Sequence, residues 1–589
     1  MHHLKWLWDN MGNKRPAFVV GLVIAGLSSA MLVINPMLSE RLIDDVITPG
    51  NTGPLPGLLL TMFGVQIFRL SLRYLMVMLM EINSTQAMTD VRRRMFEVVQ
   101  GQDYTFLNRI RTGNLMTRMT SDLDRLRHTL AWVLFQSVDS IVTFASAFIF
   151  LLLINWKLAL CLVAVTPFIL LVSRLFVVKI RSRFVLLRQK LTKLSTVVTE
   201  NIDGNRVVKA FAREDFELAQ FERHNADFRD TSVENALIAA RYSPLLDGFS
   251  QLLTIVTLVV GGLFLIEGSL TAGQFMAFNS LTWALAGPLR MLGMLLSDLQ
   301  AYYASGTMIQ EVTNSKSSIV DKPDAAVISR RPAGAVEFRN VSFSVDDAPI
   351  LKDISFSVKP GETVGILGST GSGKTSLVNM LLRFYEPTQG EVLLDGVDIQ
   401  QYTLSSLRHN IGLAMQDVFL FSESVKGNIA YGRPELDEAT ILKRAVQADA
   451  DSFISKIPDK YETLVGERGV GLSGGQKQRI SLARALAVTP SVLILDDTTS
   501  AVDSETEAYI QDQLRNLDFS CTKIIIAQRI TSFRGANQIL VMDGGRIVER
   551  GTHEELLANR GFYHHIWSLQ NNANADAGRT PGTNSTGVN

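Results

Sequence analysis

The first half of the chain contains six long apolar runs, and no other feature constrains the fold as strongly. Each run is close to the roughly 20 residues that an α-helix needs to cross the hydrocarbon of a membrane. The runs are residues 17–38, 55–80, 133–154, 158–178, 245–266 and 272–296. Because backbone inside a bilayer must satisfy its own hydrogen bonds, we expect six membrane-spanning helices.

The connections between these runs alternate between short and long. Residues 155–157 and 267–270 are short loops, whereas residues 81–127 and 179–241 are long polar segments, rich in arginine and lysine and predicted to be helical. Basic segments that flank spans remain on the cytoplasmic side of a membrane. The long segments, the N-terminus and the second half of the chain are therefore predicted to be cytoplasmic.

The composition changes after the sixth run. Residues 1–314 form the predicted membrane domain, residues 315–335 a linker rich in Ser, Asp, Pro and Ala, and residues 336–570 a soluble domain. In the soluble domain strand-like runs alternate with helical ones, which predicts a mostly parallel α/β sheet. Residues 571–589 are rich in Asn, Ala, Gly, Thr and Ser, a composition that predicts a disordered tail.

The overall charge and the cysteines exclude several classes of protein. The 57 basic and 57 acidic side chains cancel, which argues against a nucleic-acid partner. Cys161 and Cys521 are too few and too distant in sequence to form a disulfide framework or a thiolate metal site. Residues 1–16 lack the apolar core and cleavage site of a removable signal peptide.

One glycine-rich run in the soluble domain satisfies the P-loop pattern. It comprises Gly368, Ser369, Thr370, Gly371, Ser372, Gly373, Lys374, Thr375 and the following Ser376. The run lies between an apolar strand predicted at residues 364–367 and a helix predicted to begin at Lys374. Its glycines allow backbone N–H groups to converge on phosphate oxygens, and the lysine is expected to reach the outer phosphates. This pattern predicts an ATP site.

A magnesium ion is expected beside that site. The Thr375 hydroxyl stands where P-loop proteins bind Mg²⁺, and the apolar strand predicted at residues 492–495 ends in Asp496, as a Walker B strand does. We therefore predict ATP and Mg²⁺ as cofactors of the soluble domain.

The soluble domain also resembles the ABC ATPase family in residues that neither Walker motif explains. The signature motif of that family is matched by Leu472, Ser473, Gly474, Gly475 and Gln476. Gln416 matches the Q-loop glutamine, and residues 500–503, which end in Asp503, match the D-loop. Residues 463–467 resemble a stretch that precedes the signature in exporters. The resemblance implies that Gln416 joins Thr375 and Asp496 around Mg²⁺.

The membrane half resembles the ABC exporters. Residues 112–118 and 200–211 are similar to the two cytoplasmic loops whose coupling helices dock on the ATPase domains of that family. The resemblance implies an α-helical polytopic membrane domain of exporter type, with six spans, fused to an α/β P-loop ATPase domain. It also implies that two ATPase domains close head to tail, so that the signature of one chain completes the ATP site of another. Each chain is then a half-transporter.

Three positions depart from the family pattern. Asp497 follows Walker B where active members usually have a catalytic Glu, Gln528 stands at the switch position that is usually His, and Val345 replaces the aromatic residue expected to stack on adenine. The Asp carboxylate is one methylene shorter, and Gln cannot carry a positive charge or shuttle a proton. We expect impaired hydrolysis at this site, and either weaker adenine binding or a substitute role for Phe343.

These departures together with the intact signature predict the degenerate-site half of a heterodimeric bacterial exporter in the prokaryotic plasma (inner) membrane. Two alternatives remain open for the assembly and the site, namely a homodimer and drift in a site that is still active. The predicted function is export of hydrophobic or amphipathic compounds such as drugs, lipids or peptides. Uptake by an importer of exporter fold, such as a siderophore importer, and an ATP-gated regulatory or channel-like subunit are the competing functions.

Charged residues inside the predicted spans form the last group of candidates. They are Arg69, Arg73, Asp139, Asp247 and Arg290. Such residues are costly in a membrane, so they line a cavity or pair with one another. If they line a cavity, their mixed signs favour amphipathic substrates over simple anions. The expected partners are therefore a second half-transporter, membrane lipid and a small amphipathic substrate.

Overall fold

The computed structural model describes residues 2–346 and 348–577, and these form two compact units. The first unit comprises the described parts of Met1–Gln100 and Arg111–Ser315. The second comprises Gly101–Ile110 together with the described part of Lys316–Asn589. The chain thus enters the second unit briefly at Gly101–Ile110 before it returns to the first.

The first unit is built from helices, several of them much longer than a membrane is thick. The helices of the chain up to the linker are α1 (His2–Asn10), α2 (Arg15–Ala30), α3 (Ile34–Arg41), α4 (Leu55–Gln100), α5 (Tyr104–Arg109, in the second unit), α6 (Thr112–Thr117), α7 (Leu123–His128), α8 (Leu134–Ile154), α9 (Trp156–Val163), α10 (Thr166–Asp203), α11 (Asn205–Ala210), α12 (Glu214–Ile266) and α13 (Ala272–Thr313). Both long polar segments are mostly helical, as predicted, with breaks at residues 101–103 and 110–111 in the first and at residues 204 and 211–213 in the second.

Among the described residues, five helical stretches are long and apolar enough to cross a membrane. They are Gly12–Ile47, Leu55–Gln100, Thr112–Ile154, Trp156–Asp203 and Glu214–Ile266. The sixth predicted span lies within α13, which is helical and 42 residues long but is not among the five. Polar residues such as Gln274, Asn279 and Arg290 interrupt its apolar sequence. The sixth span therefore stays a prediction.

The two short loops are fixed by side chains that cap the helices after them. Asn155 ends α8 in extended conformation and accepts hydrogen bonds from the backbone N–H groups of Lys157 and Leu158, each at 3.1 Å. Thr271 and Gln274 form a reciprocal capping box at the start of α13. Such caps satisfy N–H groups that a helix start leaves unpaired, so each chain reversal needs only a few residues.

The second unit contains two sheets. Its strands are β1 (Val336–Val345), β2 (Ala348–Val358), β3 (Thr363–Gly368), β4 (Gln389–Leu394), β5 (Val397–Asp398), β6 (Ile411–Ala414), β7 (Val492–Asp496), β8 (Thr522–Ile526), β9 (Gln538–Asp543) and β10 (Arg546–Gly551). One sheet has the order β10-β9-β3-β8-β7-β6, in which only the β10–β9 pair is antiparallel. Every residue of β7 is buried, as expected for a central parallel strand.

The other sheet, with the order β2-β1-β4-β5, is antiparallel throughout and was not predicted. The helices of this unit are α14 (Lys374–Leu381), α15 (Leu404–His409), α16 (Val425–Ile429), α17 (Glu438–Gln447), α18 (Asp451–Ile454), α19 (Gly474–Ala487), α20 (Ser504–Arg515), α21 (His553–Ala558) and α22 (Phe562–Ala577). Some of these helices, among them α14 and α19, pack on the sheets, and others pack on those helices. The prediction of a mostly parallel α/β sheet is confirmed for the six-stranded sheet.

The linker and the tail differ from simple flexible segments. In the linker, the Asp321 carboxylate accepts a hydrogen bond from the Leu404 N–H at 2.7 Å, and the Ala326 N–H donates to the Gln401 carbonyl at 2.7 Å. Its backbone therefore lies along the second unit. Helix α22 continues to Ala577, beyond the predicted start of the disordered tail, and residues 578–589 lie outside the described residues.

Residues 101–110 contact the rest of the second unit through aromatic and polar side chains. The ring of Tyr104, on α5, stacks on Phe384 at 4.5 Å between centroids, and the Asn108 amide donates to the Tyr385 hydroxyl at 3.1 Å. Asp103 caps α5 and accepts two hydrogen bonds from Ser318. The segment that contacts this unit thus precedes residues 112–118, which the sequence predicted as a coupling loop and which lie in the first unit.

Candidate functional site

Four neighbouring parallel strands place the predicted nucleotide-binding residues at one edge of the sheet. In the order β3-β8-β7-β6, Ile366 lies opposite Ile526, and Ile526 lies opposite Asp496. The carboxyl ends of parallel strands form one edge, where α/β sheets bind their ligands. The P-loop follows β3 at this edge. Gln416 lies two residues after the end of β6, and Gln528 lies two residues after the end of β8.

The P-loop has the backbone that its glycines predict. Gly371 and Gly373 have φ angles of +81° and +96°, in the left-handed region that favours glycine. A Cβ atom on Gly368 would lie 2.3 Å from the carbonyl oxygen of Met542, so the loop passes too close to β9 for any side chain. The Lys374 Nζ donates to the carbonyls of Gly368 and Ser369 at 2.9 and 2.8 Å. The ammonium group therefore lies inside the loop, beside its backbone.

Thr375 and Asp496 meet at the base of the loop. The Thr375 hydroxyl donates to the Asp496 carboxylate at 3.0 Å. Burial is the main cause that raises the pKa of Asp496, and the nearby Asp497 and Asp417 carboxylates raise it further, against the Thr375 hydrogen bond and the Lys374 charge. A cation at this position would favour the ionised carboxylate. Two hard oxygen donors side by side fit Mg²⁺.

Gln416 is not joined to this pair. Its side chain is exposed in the loop after β6, and no hydrogen bond connects it to Thr375 or Asp496 within residues 2–346 and 348–577. Burial lowers the pKa of Lys374, partly offset by the charges of Asp496 and Asp497. The site thus places one ammonium group and two carboxylates close together.

The backbone at Asp497 explains part of its identity. Its φ angle is +50°, a conformation that Asp and Asn adopt more readily than other residues with a side chain. Its N–H donates to the Ile526 carbonyl at 2.8 Å, and its own carbonyl accepts from Ser500 Oγ at 3.0 Å and from Gln478 Nε2 at 3.3 Å. The hydrogen bonds named here hold this half-buried residue through its main chain. The end of β7 therefore sets the position of its carboxylate.

Gln528 is exposed and is held by a residue that the sequence did not single out. The side-chain amide of Gln570, on α22, donates to the Gln528 carbonyl at 2.8 Å and accepts from the Ile530 N–H at 3.1 Å. Buried Glu507, on α20, accepts from Ser532 at 2.5 Å and from Thr499 at 3.2 Å. The switch segment is therefore tied to the last helix and to the D-loop helix, by contacts that no local sequence pattern predicts.

The signature motif starts α19. Ser473 caps the helix, and Gln476 completes a capping box with it. Ser473 and Gly474 are exposed, and a Cβ atom on Gly475 would lie 2.8 Å from the Ala501 carbonyl. Behind the cap, Gln478 donates to the Ser500 hydroxyl at 3.1 Å and accepts from the Ala501 N–H at 3.1 Å.

The D-loop therefore packs against the signature helix, and Asp503 caps α20 through the Thr506 N–H at 2.9 Å. Within the described part of the chain, no hydrogen bond or ion pair joins the signature residues 472–476 to the P-loop. The two motifs of one chain thus remain separate groups at the surface.

The structure bears on whether Phe343 can stack on adenine in place of the residue at Val345. Phe343 is 7% exposed and its ring packs against Tyr385 at 5.1 Å between centroids. It belongs to the core of the unit and is not exposed for stacking on a base. Val345 is half-buried at the end of β1. Of the two expectations, weaker adenine binding is the one that remains.

The first unit contains a large open cavity of about 1980 Å³. Its wall is formed by residues of α4, α7, α8, α10, α12 and α13. Arg69, Arg73, Asp139 and Arg290 line it. Lining a cavity was one of the two roles expected for the charged residues of the spans, and pairing with one another was the other. Asp247 instead forms an ion pair with Arg290 at 2.9 Å.

Comparison with known proteins assigns both halves to one family. A family model described as the ABC transporter transmembrane region matches residues 18–289, and one described as ABC transporter matches residues 351–500. The probable multidrug resistance ABC transporter ATP-binding/permease protein YheI of Bacillus subtilis is 37% identical over 479 residues, which cover 80% of this chain and 81% of that protein.

Two further relatives cover almost the whole chain. The ATP-dependent lipid A-core flippase of Syntrophus aciditrophicus is 34% identical over 559 residues, 94% of this chain and 92% of that protein. A solved structure of a bacterial Atm1-family ABC exporter with ATP bound has a TM-score of 0.80 at 26% identity and covers 94% of this chain and 99% of that one. This chain therefore belongs to the ABC transporter family, as a multi-pass exporter subunit in which a helical membrane domain is fused to an ATP-binding ABC ATPase domain.

Proposed function

We propose that the chain is one half of a dimeric exporter that uses ATP to move hydrophobic or amphipathic compounds, such as drugs, lipids or peptides, across a prokaryotic plasma membrane. The observation that carries the proposal is the presence in one chain of a P-loop beside the Thr375–Asp496 pair and of a membrane unit with a large cavity. The names of two relatives, which refer to multidrug resistance and to a lipid A-core flippase, support this substrate class. The ATPase domain and the N-terminus are cytoplasmic.

The proposed roles at the nucleotide follow from the strand ends. Residues 368–376 bind the phosphates through backbone N–H groups, and Lys374 contacts the outer phosphates. Thr375, Asp496 and Gln416 supply the oxygen ligands of Mg²⁺, which neutralises phosphate charge when it is bound. Gln416 makes no hydrogen bond to the other two in the described part of the chain, so a bound Mg²⁺ would be what joins its side chain to them.

The signature residues Leu472, Ser473, Gly474, Gly475 and Gln476 act on the ATP of a second half-transporter. The exposed start of α19 presents free N–H groups and the positive end of a helix dipole, both of which attract a phosphate. The packing of Gln478 on the D-loop links this surface to Asp503. Closure of two such domains head to tail would complete each ATP site from both chains.

We infer that, of the two ATP sites in the dimer, the one formed on the P-loop of this chain hydrolyses ATP more slowly. A general base must lie within roughly 2.6–3.2 Å of the proton that it removes, and Asp497 has a shorter side chain than the usual Glu. Gln528 hydrogen-bonds without carrying charge. The partner is therefore a similar half-transporter with a Glu and a His at these positions, which makes the assembly a heterodimer.

The test uses the purified full-length chain in lipid nanodiscs, alone and with candidate partner half-transporters. The double substitution Asp497→Glu with Gln528→His should raise the ATP turnover of this site by about 10²-fold, the lower end of the contribution that a well-placed general base makes to the rate. Asp497→Asn in the otherwise native chain should change the turnover little. Adding Lys374→Ala to the double variant should abolish the gain, which assigns it to this site.

The outcomes separate the parts of the proposal. An unchanged turnover in the double variant would show that the site is not limited by these two residues. A stable dimer of this chain alone, with transport-coupled ATPase activity of ordinary rate, would replace the heterodimer by a homodimer and leave export standing. Failure of the active assembly to accumulate any amphipathic compound against a gradient in inverted vesicles would contradict export itself.

A further inference from the structure

The cavity of the first unit is lined by many more basic than acidic side chains. The charged residues in its wall are Arg69, Arg73, Arg125, Arg174, Arg188 and Arg290, against Asp139 and Asp298, and His128 adds a further group that can gain positive charge. The arginines come from four helices, α4, α7, α10 and α13. Because separate helices converge on the same chemistry, the charge belongs to the cavity and is not a property of one helix face.

Most of this charge is not neutralised within the part of the chain that the structure describes. Arg290 pairs with Asp247 at 2.9 Å, and Arg69 donates to the Ser28 carbonyl at 3.1 Å. Asp139 accepts a hydrogen bond from the Ser29 hydroxyl at 2.6 Å, and no ion pair joins it to an arginine in the described part of the chain.

The other four arginines of the wall are Arg73, Arg125, Arg174 and Arg188. Within residues 2–346 and 348–577, none of their guanidinium groups has an ion-pair or hydrogen-bond partner. The mixed signs that the sequence suggested therefore do not balance.

Unpaired arginines at this depth need a physical reason. Arg73 and Arg174 lie inside predicted spans, where an ionised side chain without a partner is costly. Arginine also presents a planar set of donors that matches carboxylates and phosphates. A wall that keeps such groups exposed to its own lumen is suited to an anionic ligand.

The same wall is apolar elsewhere. Phe176, Phe184, Trp283, Met291 and Met294 line it between the charged residues. Aromatic and methionine side chains bury alkyl chains without imposing one shape on them. A small inorganic anion would leave this apolar surface unused, whereas an acyl or alkyl chain would cover it.

We propose that the cavity binds amphipathic compounds with an anionic headgroup, phosphate or carboxylate, and that the unpaired arginines select them over neutral and cationic amphiphiles. The inference deepens the export function proposed above and rests on it for the meaning of the cavity. The arginines bind the headgroup, and the aromatic and methionine residues bind the apolar chain.

The experiment measures binding without ATP. The full-length chain is placed in nanodiscs of zwitterionic phosphatidylcholine and immobilised, and the binding of radiolabelled dodecyl phosphate is followed by scintillation proximity. Competitors are dodecyl maltoside and dodecyltrimethylammonium, which have the same tail, and inorganic phosphate, which has no tail. The dodecyl phosphate should bind at least about tenfold more tightly than the other amphiphiles, a difference of about 1.4 kcal/mol, which is the order of magnitude of one charge pair in a hydrated cavity. Inorganic phosphate should compete poorly.

Substitutions identify the groups that select the headgroup. Arg73→Gln and Arg174→Gln should each weaken dodecyl phosphate binding about tenfold and leave dodecyl maltoside binding unchanged. Arg223→Gln is the matched control, since Arg223 is an exposed arginine of α12 that does not line the cavity. Retained ATP binding in each variant shows that the chain is folded.

The result that overturns the proposal is equal affinity for the three amphiphiles, or cavity variants that bind dodecyl phosphate as tightly as the native chain. Effective competition by inorganic phosphate would mean a simple anion site in place of an amphiphile site. Anion-selective binding without ATP-driven accumulation would leave this inference standing and contradict export. ATP-driven accumulation of neutral amphiphiles without anion selectivity would do the reverse.

Discussion

Arginine is used in opposite ways in the two units. In the ATPase unit, Arg444 is buried, donates to Asp518 at 2.5 Å and to Gln447 at 2.8 Å, and lies over the ring of Phe519. In the membrane unit, Arg73 is exposed to the cavity and has no such partner among the described residues. The same side chain is therefore part of the fold in one place and accessible to a ligand in the other.

The difference teaches how to separate structural from functional charge. A buried cation that is paired with a carboxylate stabilises the fold through its partners, and its loss leaves those partners unpaired. A cation without protein partners in an apolar setting costs free energy, and a ligand or a second subunit can offset that cost. Lys374 is intermediate, because it is half-buried and its ammonium group, among the described residues, bonds within the loop that it serves, to the carbonyls of Gly368 and Ser369 and to the Ser372 hydroxyl.

The largest effect on folding is expected from Arg444→Ala. The change removes charge-assisted hydrogen bonds to Asp518 and the contact with Phe519, so the free energy of unfolding should fall by about 2 to 4 kcal/mol. Thermal unfolding of the full-length chain, followed by a probe in the ATPase unit, measures the loss. Arg433→Ala is the control, because Arg433 forms a more exposed pair with Glu435 at 3.5 Å and should cost at most about 1 kcal/mol.

The acid dependence of stability gives a second readout of the same pair. Hydrogen bonding from Arg444 is the main cause that lowers the pKa of Asp518. Stability from a carboxylate with a lowered pKa is present above its unfolded pKa and is lost as the pH falls toward the folded value. The Arg444→Ala variant should therefore lose less stability on acidification than the native chain. Equal acid sensitivity would mean that Asp518 does not depend on Arg444.

An intermediate effect is expected from Lys374→Ala. This substitution should weaken the binding of ATP and should not lower the stability of the fold. Removal of one charge-assisted contact with the outer phosphates should weaken ATP binding about 10- to 100-fold, since such hydrogen bonds contribute about 1.5 to 3 kcal/mol. Equilibrium binding of a fluorescent ATP analogue measures the change. Lys359→Ala, at an exposed turn position, should bind as the native chain does. A loss of thermal stability as large as that of Arg444→Ala would place Lys374 among the structural cations.

The sequence predicted the local features of this site well and the long-range ones poorly. The P-loop between β3 and α14 and the Ser473 cap of α19 depend on residues within one turn, so their patterns are legible in the chain. The hold of Gln570 on Gln528 depends on how α22 folds back over the sheet edge. Likewise, the positive φ angle of Asp497 is set by the strand end and its neighbours.

The cavity charge was unpredictable for a similar reason. The sequence shows arginines and aspartates in the spans, but only the packing of α12 against α13 shows that Asp247 is paired with Arg290. The segment 101–110 was also missed, because its contact with Phe384 joins residues far apart in the chain. Pairing between distant elements, which decides whether a charge is free, follows from tertiary structure.

The smallest effect on stability is expected from Arg73→Gln, and it tests the comparison most directly. If the guanidinium has no protein partner, the uncharged amide removes a desolvation cost and no hydrogen bond, so the free energy of unfolding should change by no more than about 0.5 kcal/mol. Thermal unfolding of the full-length chain in nanodiscs, without added amphiphile, measures it beside Arg444→Ala. A loss of stability as large as that of Arg444→Ala, in the assembled dimer, would reveal a carboxylate of the second subunit as the partner of Arg73. The arginines of the cavity would then be structural, as those of the ATPase unit are.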